Sequence, residues 1–268
     1  MTEAGAHGAL RFAANLSMLF CEVPFLERFE RAARAGFQAV EFQFPYAHAA
    51  HEIRARLDSS GLQAVLHNLP AGDWALGERG IACHPARVGE FRSGVARAIK
   101  YAHALGVPRL NCLAGCVPEG VSRAKAHAAL VENLAFAAAA LAHEGLLLLI
   151  EPLNTFDTPG FFLERNAQAA AILAEVGAAN LSIQFDVYHA QRTEGELAAA
   201  LGEHWPRIGH IQIADHPGRH EPGTGAIDFP ALFAQLRRLG HAGWIGCEYR
   251  PLADTEAGLH WMQGGAER

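Results

Sequence analysis

Four oxygen-bearing side chains stand at or near the ends of successive apolar segments in the second half of the chain: Glu151, Asp186, Gln212 and Glu248. An unpaired charge buried at the end of a strand is costly, so acids in such places need a compensating partner. Carboxylate and amide oxygens are the ligands that hard divalent cations prefer, which favours one Mg²⁺ or Mn²⁺ ion as the shared partner. Each acid taken alone could instead lie on the surface or cap a helix, and an amide such as Gln212 can satisfy itself by hydrogen bonding.

Three further side chains follow apolar segments and are candidates for contact with a substrate at the same place. His67 lies in the run HNLP, His189 in DVYH and Arg219 in HPGRHEPGTG. An arginine fork suits a carboxylate or a phosphate, and a histidine near a metal can donate to a substrate oxygen or accept its proton. Asn111, in LNCL, could reach the same place. A lone histidine is more often an ordinary surface or hydrogen-bonded residue, so His67 and His189 are candidates only because of where they fall in the sequence.

Short apolar runs alternate with longer, alanine-rich amphipathic segments, and this alternation predicts strands and helices in turn. The predicted strands are Leu10–Leu16, Ala39–Gln43, Leu62–His67, Arg109–Leu113, Leu146–Ile150, Leu181–Asp186, Ile208–Ala214 and Trp244–Tyr249. The predicted helices lie near 25–35, 49–60, 87–105, 122–144, 166–176, 194–204, 228–239 and 254–262. Eight such units favour an α/β fold, a single (β/α)₈ TIM barrel, over a doubly wound open sheet. We expect one domain over residues 1–268, with loose ends at 1–8 and 264–268.

In such a barrel the carboxyl ends of the strands meet at one mouth, and the loops that follow them form the functional face. Because side chains alternate along a strand, Gln184 and Asp186 share one face of the sixth strand, and His210 and Gln212 share one face of the seventh. The candidate residues are therefore expected to converge at this mouth. The longest irregular stretches all follow predicted strands: 68–86, 114–121, 152–165 and 215–227.

Composition and charge limit the classes of partner. Half of the residues are hydrophobic and 19% are charged, which is typical of a folded chain with a sizeable core. The formal net charge of −6 opposes general attraction to nucleic acid or anionic membranes. The amino terminus lacks a basic segment followed by an apolar one, and no apolar run reaches the length of a membrane span. We therefore expect a cytoplasmic protein that binds neither nucleic acid nor membranes, while both a monomer and a homo-oligomer stay open.

Several other chemistries find no support in the sequence. The five cysteines are scattered and odd in number, which argues against a disulfide framework. Cys112 and Cys116 have no second pair at zinc-binding spacing. The chain contains no GxxxxGK[ST], HExxH or GxSxG motif, so P-loop, zincin and nucleophilic-serine chemistry are unsupported.

Several runs resemble the hydroxypyruvate isomerase family, which belongs to the xylose-isomerase-like (β/α)₈ barrels. The longest is HNLPAGDWALGERGIAC at 67–83, within a resemblance that spans about residues 10 to 262. Other runs are RFAANLSMLF at 11–20, VEFQFPY at 40–46, EPLNTFDTPGF at 151–161, QFDVYH at 184–189, GHIQIAD at 209–215, EPGTG at 221–225 and GCEY at 246–249. The resemblance implies that Glu151, Asp186, Gln212 and Glu248 are the metal ligands, and that Glu151 and Glu248 transfer protons.

The implied reaction is an aldose–ketose isomerisation that interconverts hydroxypyruvate with tartronate semialdehyde, 2-hydroxy-3-oxopropanoate. It removes a proton from the carbon beside a carbonyl, passes through an enediolate stabilised by the cation, and returns a proton to the neighbouring carbon. We expect Arg219 and His67 to hold the substrate carboxylate and His189 to contact a substrate oxygen. Which glutamate takes the first proton stays open.

Related activities remain as alternatives. A 2-oxotetronate isomerase or a ketose 3-epimerase would use the same chemistry, although the epimerases usually carry histidine where this chain has Gln212. A more remote alternative is an AP-endonuclease-like DNA-repair enzyme. Its three-zinc site uses histidines at positions where, by motif, this chain has Asn111 and Gln212. A non-catalytic barrel that only binds a ligand is the last alternative. One departure from the isomerase pattern is Ala226, which follows EPGTG where the family usually has glutamate, so loop contacts there are open.

Overall fold

The structure of the protein is a computed structural model that describes residues 9–265. Eight parallel strands close into a barrel in chain order, and the last strand pairs with the first. The strands are β1 (Arg11–Asn15), β2 (Ala39–Phe42), β3 (Gln63–Asn68), β4 (Arg109–Cys112), β5 (Leu147–Ile150), β6 (Leu181–Asp186), β7 (Ile208–Ile213) and β8 (Trp244–Cys247). Each predicted strand is present, and the closure of the sheet confirms the barrel and excludes the open-sheet alternative.

Helices follow the strands and cover the outside of the barrel. They are α1 (Phe25–Arg34), α2 (Ala50–Ser60), α3 (Val88–Leu105), α4 (Arg123–His143), α5 (Asn166–Val176), α6 (Val187–Thr193), α7 (Leu197–His204), α8 (Phe229–Arg238) and α9 (His260–Gly265). The helix predicted at 254–262 is shorter and later, because a 3₁₀ turn precedes α9. Of the expected loose ends, 1–8 and 266–268 lie outside the described residues, whereas 264 and 265 belong to α9. No helix among the described residues is long and apolar enough to cross a membrane.

Helix α6 is an element that the sequence pattern did not predict. It begins directly after β6, in a stretch where no element was predicted before the helix at 194–204. The Oδ1 atom of Asp186 accepts hydrogen bonds from the backbone N–H groups of Tyr188, at 2.7 Å, and His189, at 3.3 Å. This cap satisfies donors that a helix start leaves unpaired, so Asp186 both ends the strand and begins the helix. Ser122 caps α4 in the same way, with its Oγ accepting a hydrogen bond from the backbone N–H of Lys125.

The apolar core has two parts. A large cluster packs between the barrel and the helices, and a small one fills part of the barrel interior: Ala13, Ala39, Val65, Leu66 and Leu149. Full burial of a leucine side chain stabilises the fold by about 1.5–3 kcal/mol, so even this small cluster holds the strands firmly. Ala13 and Leu149 lie two residues before Asn15 and Glu151 on their strands, which places these polar side chains on the same inward face.

Candidate active site

A cavity of about 740 Å³ opens where the carboxyl ends of the strands meet. Its lining includes residues of the predicted functional loops, such as Trp74, Asp157 and Arg219. The segments after β1 and β8 also contribute, although neither was singled out from sequence. The cavity is therefore built by the loops that a (β/α)₈ barrel uses for function.

Three buried acids gather at this cavity: Glu151, Asp186 and Glu248. Ligand atoms of Glu151, Asp186 and His189 all lie within 4.8 Å of one another. The Nη2 atom of Arg219 lies 2.6 Å from Oε2 of Glu248 and 3.5 Å from Oδ2 of Asp186. The strand-end acids predicted from sequence are thus brought together around a single arginine.

The free oxygens of these acids fit a hard divalent cation. Oδ1 of Asp186 is used by the cap of α6, while its buried Oδ2 has no hydrogen-bond partner among the described residues. Oε2 of Glu151 accepts from Nδ2 of Asn111 at 2.8 Å. An anionic oxygen buried without a donor is costly, and a cation bound there would relieve that cost. The acids supply oxygen donors, which suit Mg²⁺ or Mn²⁺ better than soft metals, and His189 adds one nitrogen beside them.

The electrostatics of the acids indicate an excess of negative charge. Burial, together with the neighbouring charges of Glu248 and Asp186, holds the pKa of Glu151 well above its usual range. Burial also raises the pKa of Asp186 to about 7, although Arg219 opposes the shift. The pKa of Glu248 is raised by burial as well, against the opposing effects of Arg219 and Gln43. One arginine therefore does not balance three buried carboxyl groups.

Glu248 and Glu151 differ in their hydrogen bonds. Oε1 of Glu248 accepts from Gln43 at 2.8 Å and from Asn15 at 3.2 Å, and its Oε2 accepts from Arg219. Among the described residues, Glu151 accepts a side-chain hydrogen bond only from Asn111. Glu248 is therefore held rigidly as an acceptor, whereas Glu151 keeps an oxygen available at the cavity.

Gln212 lies on β7 in register with Asp186 and is embedded in a buried polar network. Its Oε1 accepts from Nε2 of Gln184, and its Nε2 donates to Oε1 of Glu41, both at 2.6 Å. Glu41 also contacts Nδ2 of Asn15 at 2.9 Å and Nε2 of His210 at 2.7 Å. We call Asn15, Glu41, His210 and Gln212 the floor network.

Glu41 is a site residue that sequence reasoning missed. It is fully buried on β2 and points into the barrel. The signal in the sequence was an acid within an apolar strand, in the run VEFQF. A Cβ atom added at Gly246 of β8 would overlap the Glu41 carboxylate, so the missing side chain provides the room that this acid occupies. The carboxylate fixes the amide orientation of Gln212, because only the nitrogen of that amide can donate to it.

His189 and Arg219 both line the cavity, as predicted. Nδ1 of His189 accepts from the backbone N–H of Asn154 at 3.1 Å, which assigns the proton to Nε2, 3.7 Å from Oδ2 of Asp186. Burial holds the pKa of His189 well below its usual range, so the ring is neutral. Arg219 has a φ of 56°, in the left-handed region that non-glycine residues rarely adopt, and its guanidinium lies 5.2 Å from the ring centroid of Tyr188.

His67 is not among the residues that line the cavity, whereas its neighbour Asn68 is. The His67 ring stacks on Phe42 at 6.4 Å between centroids, and its Nδ1 lies 3.1 Å from the backbone oxygen of Asn68. Burial lowers the pKa of His67 to about 4. The substrate contact predicted for His67 has no support in this geometry.

The loop that carries Arg219 is held by Asp215, another residue that we did not single out. Oδ2 of Asp215 accepts from the backbone N–H groups of Gly223 and Gly225, at 2.9 and 2.8 Å, within the EPGTG run. Ala226 is exposed and donates its backbone N–H to the oxygen of His216. The departure at Ala226 therefore leaves the internal hydrogen bonds of the loop intact.

The closed barrel with its acidic mouth agrees with the comparison to known families. Residues 29–264 match the family described as a xylose isomerase-like TIM barrel, and the chain belongs to this family. It is 56% identical over 253 residues to hydroxypyruvate isomerase of Escherichia coli (strain K12), with 94% of this chain and 98% of the relative covered. It is 54% identical to 2-oxo-tetronate isomerase of Cupriavidus necator, with 94% and 97% covered. The protein is therefore an isomerase.

A solved structure supports the same fold. The crystal structure of AP endonuclease, family 2, from Brucella melitensis matches with a TM-score of 0.93 and 44% sequence identity. The match covers 95% of this chain and 98% of that one. The barrel and its loops thus correspond over nearly the whole chain.

Proposed function

We propose that this isomerase interconverts hydroxypyruvate and tartronate semialdehyde with the help of one divalent cation, Mg²⁺ or Mn²⁺. The observation that carries the proposal is the group of three buried acids at the cavity, one of which, Asp186, has a buried oxygen that accepts no hydrogen bond from the described residues. The similarity to hydroxypyruvate isomerase of E. coli supports the substrate. A cytoplasmic location stays a prediction of the sequence.

The predicted ligands of the cation are Glu151, Asp186, Gln212 and Glu248. When bound, a divalent cation supplies Lewis-acid stabilisation of the negative charge that develops on the substrate oxygens. Gln212 offers a carbonyl oxygen whose direction is set by the hydrogen bond from its own amide nitrogen to Glu41. The same oxygen accepts a hydrogen bond from Nε2 of Gln184 at 2.6 Å, so the inclusion of Gln212 in the set rests on the family resemblance.

Glu151 and Glu248 are the proposed proton-transferring pair. The reaction takes a proton from C3 of hydroxypyruvate, forms an enediolate, and returns a proton to C2, while the hydroxyl proton moves from the C3 oxygen to the C2 oxygen. Glu151 retains an oxygen toward the cavity, and Glu248 is oriented by Gln43, Asn15 and Arg219. The Nε2–H group of His189 can donate to a substrate oxygen that carries developing charge.

A 2-oxotetronate isomerase is the second candidate, because the Cupriavidus necator relative is almost as similar as the E. coli one. The four-carbon substrate adds one carbon to the same 2-oxo acid, and a cavity of about 740 Å³ does not exclude it. Parallel kinetics on both oxo acids and on a ketohexose, with products identified by NMR, rank the candidates. Turnover of the ketohexose without turnover of either oxo acid would contradict the proposal.

Metal dependence is tested by treating the purified enzyme with a chelator and then restoring single metals. We expect isomerisation to stop and to return with Mg²⁺ or Mn²⁺. Glu151→Gln should lower kcat by about 10³-fold, within the range of acid–base catalysis. Glu175→Gln, at an exposed glutamate of α5 that pairs with His127, is the matched control and should change nothing. Unchanged activity of Glu151→Gln would remove Glu151 from the mechanism.

The comparison with the Brucella structure makes one further assay necessary. Purified enzyme loaded with zinc is incubated with a duplex that contains an abasic site. The net charge of −6 opposes binding to the phosphate backbone, so we expect no cleavage. Cleavage that depends on Glu151 would overturn the isomerase assignment in favour of a nuclease.

A further inference from the structure

We propose that Arg79, in the loop after β3, binds the carboxylate of the substrate and selects 2-oxo acids over neutral ketoses. The inference rests on the proposed function, because it names a recognition element of the same cavity. Arg79 lies in the run HNLPAGDWALGERGIAC and lines the cavity together with Asn68 and Trp74. It was not among the residues that the sequence singled out.

The charge of the site requires a cation besides Arg219. Three buried carboxyl groups face this arginine, and its Nη2 contacts both Glu248 and Asp186. Arg219 therefore neutralises the protein's own acids. The proposed divalent cation and Arg219 together balance these three carboxyl groups, which leaves the carboxylate of an anionic oxo acid without a counter-charge unless another cationic side chain receives it.

The guanidinium of Arg79 is oriented before any substrate arrives. Its Cζ lies 4.0 Å from the ring centroid of Trp74, and its Nη1 donates to the backbone oxygens of Trp74, at 3.2 Å, and Glu78, at 2.8 Å. In the part of the chain that the structure describes, no carboxylate forms a salt bridge with it. The neighbouring acid Glu78 pairs instead with Arg87. The remaining N–H donors of Arg79 are thus available for a carboxylate.

The loop is anchored next to the site at the residue that follows Arg79. Gly80 has a φ of 116°, and a Cβ atom there would overlap the backbone oxygen of Leu113. Leu113 lines the cavity two residues after Asn111, which donates to Glu151. This close approach holds the base of Arg79 against the end of β4, on the side of the cavity where Glu151 lies.

Arg250 is the third arginine of the described cavity lining, beside Arg79 and Arg219, and it serves as a comparison. It is exposed, unlike the half-buried Arg79, and its backbone N–H donates to the oxygen of Arg219. Its side chain makes no described salt bridge or ring stacking that would orient it. Arg250 therefore brings a charge of the same sign to the cavity lining, but its side chain lacks a fixed orientation.

The test measures kinetics and binding in the metal-loaded enzyme for Arg79→Gln, Arg79→Lys and Arg250→Gln. We expect Arg79→Gln to raise KM for hydroxypyruvate by about 10- to 100-fold with kcat nearly unchanged, because a lost charge-assisted hydrogen bond weakens ground and transition states alike. Arg79→Lys should recover part of the loss, and Arg250→Gln should stay near the wild type. Circular dichroism melts confirm folding.

Two probes separate carboxylate recognition from general damage. Dihydroxyacetone has a hydroxymethyl group in place of the carboxylate of hydroxypyruvate, and its inhibition constant should be equal in wild type and Arg79→Gln. The Kd of tartronate, measured by calorimetry, should rise as KM does. Equal loss for both probes, or no loss for tartronate, overturns the role of Arg79. If wild-type enzyme fails to isomerise hydroxypyruvate, the proposed function fails, while the tartronate Kd still decides the role of Arg79.

Discussion

The floor network and the 68–86 loop both position polar side chains at the site, but by different kinds of contact. In the floor network, strand register sets the positions of Glu41, His210 and Gln212, and each is buried on all sides. In the loop, Arg79 is held by one aromatic ring, two carbonyl oxygens and a glycine beside it. The first arrangement depends on the whole barrel, and the second on a few local contacts.

This difference predicts different responses to mutation. Interior side chains are close-packed, so a change in the floor network displaces several partners at once. When one partner of a buried hydrogen bond moves, the group left without a partner destabilises the fold by its full desolvation free energy. A change in the loop removes a single orienting contact and leaves the acids in place. Floor variants should therefore lose stability and turnover together, whereas loop variants should lose substrate affinity alone.

Gly246→Ala should have the largest effect. The added methyl group would overlap the Glu41 carboxylate, and overpacking of an interior costs about 1–3 kcal/mol of unfolding free energy. Displacement of Glu41 releases Gln212 and Asn15, so we also expect kcat to fall by about 100-fold, as small misplacements of catalytic geometry do. Urea unfolding and steady-state kinetics measure the two effects.

Gly89→Ala in α3 is the matched control. A Cβ atom at Gly89 meets no atom within 4 Å, so the variant should keep full activity. Its stability should be unchanged or raised by up to about 1 kcal/mol, since alanine favours a helix over glycine. Wild-type kinetics of Gly246→Ala would show that the position of Glu41 does not matter to the site, and would break the contrast between floor and loop.

The acids between the two regions should make stability depend on pH and metal. The pKa of Asp186 is raised to about 7, chiefly by burial, so the folded metal-free protein binds a proton that the unfolded chain releases near pH 4. The metal-free Tm should therefore fall as pH rises from about 4 to 7. Mn²⁺ replaces that proton, so its Tm gain should be larger at pH 7.5 than at pH 5.5. Scanning calorimetry with chelator or Mn²⁺ measures both.

Asp186→Asn is the control for this pH effect. The amide keeps an oxygen for the cap of α6 but cannot take up the proton. The Tm of the variant should depend less on pH, and Mn²⁺ should stabilise it less. An equal Tm gain at both pH values in the wild type would mean that protons and metal do not compete at these acids.

The sequence predicted the strand-borne part of the site because the rules are simple there. An acid that follows an apolar run needs a compensating partner, and parallel strands bring their carboxyl ends together. These two rules were enough to single out Glu151, Asp186 and Glu248. Helix α6 was missed because Asp186 was read as a ligand alone and not also as a cap. Glu41 was missed because sequence patterns do not reveal that a glycine two strands away, Gly246 of β8, would make room for it.

His67 lies after a local irregularity that breaks the inward–outward alternation of side chains along β3. The register between β2 and β3 shifts at Val40 and Glu41, and both Val65 and Leu66 belong to the interior cluster. Strict alternation from Val65 would turn His67 inward, but the shift turns Asn68 inward instead. Sequence periodicity does not reveal such a shift. The role of Arg79 was equally hidden, since it depends on loop contacts to Trp74 and Leu113 that no periodicity encodes.

Trp74→Leu should have the smallest effect, and it tests whether the loop acts through orientation. Loss of a half-exposed cation–π contact costs little, so we expect KM for hydroxypyruvate to rise by about 2- to 5-fold with kcat unchanged. Phe136→Leu is the matched control, because Phe136 is 37% exposed against 38% for Trp74 and carries Arg92 at 4.8 Å, away from the cavity lining. Trp74 lines the cavity itself, so the inhibition constant of dihydroxyacetone must also be measured. If that constant rises as much as KM does, Trp74 contacts the substrate directly and the orientation of Arg79 does not depend on its ring.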